Sequence, residues 1–190
     1  MARIAVIVGH ARTPTYCEAL GESYLRGAIS GGHEAELFVT SKMNFDPTLH
    51  VGFERPQPLE PDMVKAHDAI LAADHLVMVF PLWMGMLPSI FHGFLERLFQ
   101  PEFVPGARQA KFPKLLKGKS VLLIVTMGMP AFVYRFWFGA YALKTLKKNV
   151  LRLLGVTKVR FLVIGSVEGI GPDGRRKWLD AVHKRGTRAA

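Results

Sequence analysis

Leu76-Val77-Met78-Val79-Phe80-Pro81-Leu82-Trp83-Met84-Gly85-Met86-Leu87-Pro88 is the stretch on which the reading of this chain turns. Leu76–Phe80 is a continuous apolar run, as expected of a parallel strand covered on both faces. Pro81 ends the run, and Gly85 and Pro88 keep the following residues out of a helix. The fixed loop between the prolines carries Trp83, Met84 and Met86. A flat, polarizable wall with free backbone amides suits an aromatic heterocycle. Packing of Trp83 and Met84 in a core or a dimer contact is the other reading of the same residues.

Four more apolar runs flank this one: Ile4–Val8, Glu36–Thr40, Ser120–Thr126 and Val159–Ile164. Helical patterns lie between them, long enough for right-handed crossovers. They cover Thr15–Ile29, with Thr13 or Thr15 as the cap, then Pro61–Ala73, Pro88–Phe99, Phe136–Leu154 and Pro172–Lys184. The alternation predicts an α/β three-layer sandwich of one domain spanning residues 1–190. Five parallel strands in the order 2-1-3-4-5 place a ligand at the carboxyl ends of the first and third strands. The connection Met43–Glu60 is longer than usual and lies either beside a site or out on the surface.

Two other strand ends complete the candidate site. Gly9-His10-Ala11-Arg12-Thr13-Pro14-Thr15-Tyr16 leads into a helix, whose N-terminal N–H groups and dipole attract phosphate. It matches neither GxGxxG nor GxxxxGK[ST], and a simple capped turn is an equal reading. Thr126-Met127-Gly128-Met129-Pro130 follows the fourth strand, where Gly128 lets backbone N–H groups approach an anionic ring edge. The aromatic cluster around Tyr134 reads as core, as a partner-facing surface, or as catalytic.

Composition narrows the classes. The formal charge is +10 and 49% of residues are hydrophobic, an ordinary globular balance with a basic excess. The excess gathers at Arg108, Lys111, Lys114, Lys117 and Lys119, and again at Arg175, Arg176, Lys177, Lys184, Arg185 and Arg188. Neither cluster interleaves aromatics as a single-strand binding platform does, so a solvated surface is expected and nucleic acid is not. No apolar run reaches membrane-spanning length and no secretory pattern opens the chain, which makes a cytoplasmic protein the expectation. A single cysteine, Cys17, excludes an internal disulfide and a cysteine-based metal site, and no metal is expected. There is no GxSxG elbow and no HExxH, so a cofactor should carry any catalysis.

These residues resemble the flavodoxin-like NAD(P)H:quinone oxidoreductases, the DT-diaphorase group and its bacterial quinone-reductase relatives. The similarity is most specific over Phe80-Pro81-Leu82-Trp83-Met84 and Leu87-Pro88-Ser89-Ile90-Phe91-His92-Gly93-Phe94-Leu95-Glu96-Arg97-Leu98-Phe99. There the family carries F-P-L-x-W followed by a proline and a helix ending in [DE]-R-V-[FL]. The resemblance implies that Pro81, Leu82, Trp83 and Met84 line a flavin ring, with Trp83 one place earlier than in some members. It implies that His10, Thr15, Tyr16 and Cys17 serve the flavin phosphate, and that Thr126, Met127, Gly128 and Met129 border the pyrimidine edge. Tyr134 falls at the spacing of a tyrosine used in hydride transfer. Met127 and Met129 replace polar or small residues, and Ala140 stands near the place of the tyrosine's assisting histidine.

The C-terminal region that holds FAD adenosine in longer members is missing, so FMN is expected. The implied activity is ping-pong hydride transfer from NAD(P)H, NADPH being favoured by the basic surface. The acceptors would be quinones, azo or nitro compounds, and the assembly a homodimer using Phe132–Tyr141 and Met43–Phe53. A flavodoxin-type electron carrier is the alternative, although such carriers are acidic and shorter. A flavin-free regulatory or partner-binding subunit is the third possibility.

Overall fold

The computed structural model describes residues 1–52, 54–100 and 114–190. Phe53, Arg108 and Lys111 therefore lie outside the described residues. Five strands form one parallel sheet: β1 (Arg3–Val8), β2 (Glu34–Val39), β3 (His75–Pro81), β4 (Ser120–Thr126) and β5 (Lys158–Ile164). Their order is β2-β1-β3-β4-β5, as expected from the sequence. In register, Val6 faces Leu37 on one side and Val77 on the other, and Leu122 continues the row to Arg160.

Side chains alternate across the sheet and so feed two cores. Ile4, Val6, Val8, Val77, Val79 and Ile124 pack under the helices α1 (Tyr16–Ser30) and α6 (Gly171–Gly186), with Leu20, Tyr24 and Val182. Ala5, Ile7, Met78, Phe80, Leu123 and Val125 pack on the other face under α2 (Pro61–Ala72) and α3 (Ser89–Phe99). On α3, Phe91, Phe94 and Leu98 are fully buried, each contributing roughly 1.5–3 kcal/mol of apolar burial. The central strands are covered throughout, whereas β2 and β5 are exposed toward their starts because each has a neighbour on one side only.

The long helix expected over Phe136–Leu154 is divided. α4 (Ala131–Phe136) stops, Gly139 (φ 65°) and Ala140 (φ 50°) turn the chain, and α5 (Tyr141–Thr145) resumes. A wider π-type turn then covers Leu146–Leu151. Positive φ at two successive residues is incompatible with a continuous right-handed helix, and the apolar spacing alone does not encode it.

The connection Met43–Glu60 is tied down from α3. Arg97 is fully buried and forks between the Glu60 carboxylate (Nη2 to Oε2 2.9 Å, Nη1 to Oε1 3.2 Å) and two backbone carbonyls, of Pro58 (2.7 Å) and Asp46. Gln100, also buried, accepts from the Gln57 N–H (2.9 Å) and donates back to the Gln57 carbonyl. The segment passes so near α3 that a Cβ on Gly93 would stand 2.3 Å from the Pro47 carbonyl oxygen. Burial alone would raise the Glu60 pKa, but the Arg97 guanidinium and the Asp46 N–H hold it below the usual carboxylate range.

Of the first basic cluster, Lys114 and Lys117 are exposed, while Lys119 is a helix cap. Its ammonium donates to the carbonyls of Leu71 (2.6 Å) and Ala73 (2.5 Å) at the end of α2. Of the second cluster Arg176, Lys177, Lys184 and Arg188 are exposed, Arg175 is exposed but lays its guanidinium over the Tyr16 ring, and Arg185 is half-buried. Among the described residues no helix is long and apolar enough to cross a membrane.

Candidate active site

The site is built from the carboxyl ends of β1, β3 and β4. After β3, Pro81 is buried and the chain folds back at once. The N–H of Trp83 donates to the Met86 carbonyl (3.0 Å) and the N–H of Met86 to the Trp83 carbonyl (2.8 Å). Met84 (φ 51°) and Gly85 (φ 77°) therefore form a two-residue turn with both centres left-handed, the hairpin type that matches strand twist. Glycine takes that position freely, whereas Met84 pays about 1 kcal/mol for it. Met84 is fully exposed at the tip and Trp83 is 43% exposed.

The β1 loop meets this hairpin. The rings of His10 and Trp83 contact edge-to-face with centroids 4.9 Å apart. Thr40, buried at the end of β2, holds the approach: its hydroxyl accepts from the His10 N–H (3.1 Å) and lies 2.9 Å from the His10 carbonyl. His10 Nδ1 accepts from the Arg12 N–H (3.1 Å), which leaves the ring proton on Nε2. Burial and the nearby Arg12 charge lower the His10 pKa, so the ring is neutral at neutral pH.

Thr15, rather than Thr13, caps α1, its hydroxyl accepting from the Glu18 N–H (3.2 Å). The first-turn N–H groups of Tyr16 and Cys17 are the donors that such a helix end leaves to a ligand. Sequence reasoning missed Glu18 here. Its buried carboxylate accepts from Thr13 Oγ1 and pairs with Lys42 Nζ. Burial acts to raise the Glu18 pKa, but Lys42 and Thr13 outweigh it and keep the group ionised. An acidic residue in a helix's first turn is a common sign, yet its Lys42 partner is distant in sequence.

The four phosphate candidates are placed differently. His10 is buried against Trp83, and Thr15 is at the helix start. Tyr16 turns toward α6, its hydroxyl donating to the Arg175 carbonyl (3.3 Å) with the Arg175 guanidinium over its ring at 5.8 Å. Burial pushes its phenol up to about 12. Cys17 points into the core, its Sγ 3.3 Å from Thr126 Oγ1, and burial lifts its thiol to about 11. Only the backbone N–H of Cys17 is available to a phosphate there.

Thr126 joins the three loops. Its hydroxyl meets Cys17 of α1, and its carbonyl accepts from the Leu82 N–H (2.8 Å) of the β3 loop. Beyond it Met127 is buried, its N–H donating to the Ile164 carbonyl (3.0 Å). Among the described residues the N–H groups of Gly128 and Met129 make no backbone hydrogen bond. Gly128 is exposed, and a Cβ built on it would meet only Glu168 Oε1 at 3.9 Å, so the space beside its Cα is open.

Tyr134 is placed less openly. Its side chain is 97% removed from solvent, and its hydroxyl lies against the backbone of Ala142 and Leu143 without a well-formed partner. Burial raises its pKa, so it remains a protonated donor at neutral pH. Of the two interface candidates, the aromatics from Phe132 to Tyr141 are largely exposed, whereas Met43–Gly52 is fastened to its own α3, where Phe45 packs edge-to-face on Phe94.

Comparison with known proteins gives the family. An uncharacterized NAD(P)H oxidoreductase of Haemophilus influenzae is 27% identical, covering 73% of this chain and 71% of its own. The rat NAD(P)H dehydrogenase [quinone] 1 is 23% identical over 96% of this chain and 76% of its own. An NAD(P)H:quinone oxidoreductase from Methanothermobacter marburgensis superposes with a TM-score of 0.79 at 18% identity, covering 98% of this chain and 95% of that one. A family profile described as flavodoxin-like fold matches residues 2–185, and the chain belongs to that family.

Proposed function

We propose that this protein is an FMN-dependent NAD(P)H oxidoreductase that passes hydride, in ping-pong order, to quinones or to related azo and nitro acceptors. The observation that carries the reading is the convergence of three strand ends through His10–Trp83, Cys17–Thr126 and Leu82–Thr126. The residues fit the cofactor: a helix start with free N–H groups for a phosphate, an exposed indole for a ring face, and the exposed Gly128, whose N–H makes no backbone hydrogen bond, for a ring edge. A bound flavin supplies hydride acceptance and donation, which no side chain here provides.

The chain's own residues do the rest. Thr15 and the N–H groups of Tyr16 and Cys17 hold the phosphate, and Lys42 offsets the Glu18 charge beside it. Pro81, Leu82, Trp83 and Met84 wall the ring, while Thr126 and Met127 fix the backbone that aims the Gly128 and Met129 N–H groups. Donors so placed stabilise negative charge by roughly 3 kcal/mol each in other enzymes. NAD(P)H and acceptor take the Trp83 side in turn. Tyr134 donates to the acceptor oxygen, which supplies the partner that its buried hydroxyl lacks.

Anaerobic titration of the purified protein with NADPH and NADH tests the reading. A yellow preparation absorbing at about 450 nm should bleach without any partner reductase. A colourless protein that takes up no FMN would leave the flavin-free subunit, and bleaching only through a reductase would leave the electron carrier. Tyr134→Phe should keep the bleaching rate and slow reoxidation by quinone roughly 10²-fold, the scale of a positioned proton donor. Unchanged turnover of every quinone tried would remove Tyr134 from the mechanism.

The homodimer belongs to the same proposal. An apolar groove of about 140 Å³ between α3 and α5, lined by Leu87, Leu95, Phe99, Leu146 and Val150, is the face assigned to the second copy. Light scattering at micromolar concentration should give about twice the 21.2 kDa chain mass, and a monomer would exclude the assembly.

A further inference from the structure

A carboxylate is a poor neighbour for a phosphate, yet Glu18 buries one at the start of α1. Thr15-Tyr16-Cys17-Glu18 has the spacing of a capping box, in which the acidic side chain turns back on the residues ahead of its helix. Here it does so. The carboxylate accepts from the Thr13 hydroxyl, lies beside the Thr15 N–H and pairs with the Lys42 ammonium. Donors from the loop Gly9–Thr15 and from the turn Thr40–Lys42 after β2 thus converge on the chain's own anion. That turn fastens the other end of the loop as well, because Thr40 holds both the N–H and the carbonyl of His10.

The two partners differ in freedom. The Glu18 side chain is 6% exposed, whereas that of Lys42 is 53% exposed. A lysine ammonium carries three N–H donors on a flexible stem, so it can keep Glu18 and still offer a donor to a second anion. Of the other charges nearby, Arg12 is exposed on the loop, and Glu22, one turn further along α1, pairs with Arg26 (3.6 Å).

We propose that Glu18 and Lys42 govern, with opposite signs, how tightly the loop Gly9–Thr15 holds a phosphate monoester, and through it the preference for FMN over riboflavin. An arriving phosphate meets a helix start that attracts it and a buried carboxylate that repels it and already takes the Thr13 hydroxyl. Lys42 tips this balance, since it neutralises the carboxylate and has N–H groups left for the phosphate oxygens. The loop therefore releases FMN to the free pool more readily than the same donors would without Glu18. A purely structural cap would act on the loop's conformation and hence on every ligand alike, whereas a balance of charge acts on the phosphate alone. The identity of the ligand as a flavin rests on the oxidoreductase reading; the effect on phosphate does not.

The test titrates the flavin-stripped full chain with FMN and with riboflavin, following flavin fluorescence. Glu18→Gln removes the charge while keeping the shape and an acceptor for Thr13. It should tighten FMN roughly tenfold and retain it through gel filtration, and Lys42→Met should weaken FMN roughly tenfold or more. Combining the two substitutions should return FMN affinity close to wild type, and Lys42→Arg, which keeps the charge, should hold it there. Riboflavin, which has no phosphate, should stay within about twofold of wild type in every variant. Weaker FMN binding by Glu18→Gln, or parallel changes for the two flavins, would make the pair a structural cap and overturn the proposal. If neither flavin binds, the flavin reading falls and inorganic phosphate decides alone. A rise in Tm with phosphate that Glu18→Gln enlarges and Lys42→Met removes supports the proposal. A rise that ignores both variants, or no rise at all, overturns it.

Discussion

Replacing Arg97 by alanine is expected to cost about 3–5 kcal/mol of folding stability, the largest effect of any single change considered for this chain. Its guanidinium is fully buried and binds one carboxylate and two carbonyls, so the truncation leaves the Pro58 and Asp46 carbonyls without this donor, leaves the Glu60 carboxylate only the Asp46 N–H, and adds a cavity beside α3. Arg97→Lys should recover little, because an ammonium is a point charge and cannot fork between a carboxylate and two carbonyls. For a domain of this size the alanine loss corresponds to a fall in Tm of roughly 6–20 °C. Calorimetry checks it, and a fall of about 2 °C or less would show that the connection Met43–Glu60 is held by other contacts. Proteolysis should also report first from that connection in the variant, since its tethers to Arg97 are gone and only those to Gln100 remain.

Stability should also drop as pH falls from 6.5 to 4, by up to about 3 kcal/mol from His75 alone. This histidine opens β3 and is buried, with Nδ1 2.7 Å from Ser120 Oγ and Nε2 unpaired. Burial, and then the Arg160 charge, lower its pKa from 6.5 to about 4. The folded state therefore favours the neutral ring. Above pH 6.5 both states are neutral and the contribution is complete; below it the unfolded chain takes up a proton that the folded chain refuses. Carboxylates such as Glu60, whose pKa is depressed, add to acid loss at lower pH, so the comparison must isolate the histidine. Denaturant unfolding of wild type and His75→Phe at pH 7 and pH 4.5 does so. The wild type should lose about 2 kcal/mol more than the variant between the two conditions, and equal losses would assign the acid sensitivity elsewhere.

What the sequence made legible follows from how local each signal is. Five strands, their order and the three converging strand ends were readable because buried parallel strands are continuous apolar runs and because Pro81, Gly85 and Pro88 act within a few residues. The resemblance added the assignment of a flavin, which periodicity does not contain. The division of Phe136–Leu154 was not readable, because Ala140 at positive φ is a tertiary outcome in a residue with no preference for it. Arg97 and Glu18 were missed for a different reason. A charged residue on a helix ordinarily faces water, and only the fold brings Glu60 to one and Lys42 to the other. A faint signal existed for Arg97, three places after Phe94 and next to Leu98 on the apolar stripe. Cys17 and Tyr16 were correctly read as lying at the start of α1, but their side chains turn to the core and to α6, since a helix start exposes only part of its circumference.

The short connection from Pro81 to the turn at Met84-Gly85 has a consequence for how this site can change over time. Successive side chains of extended backbone point to opposite faces, so one residue inserted between Pro81 and Trp83, ahead of the turn, carries the indole from one face to the other. Substitutions at Trp83 or Met86 alter the wall of the pocket by degrees, whereas a change of length there replaces one wall by another in a single step. Relatives that carry their tryptophan one place later should therefore present a differently shaped pocket on an unchanged sheet, and acceptor range should follow the length of this connection more closely than overall identity.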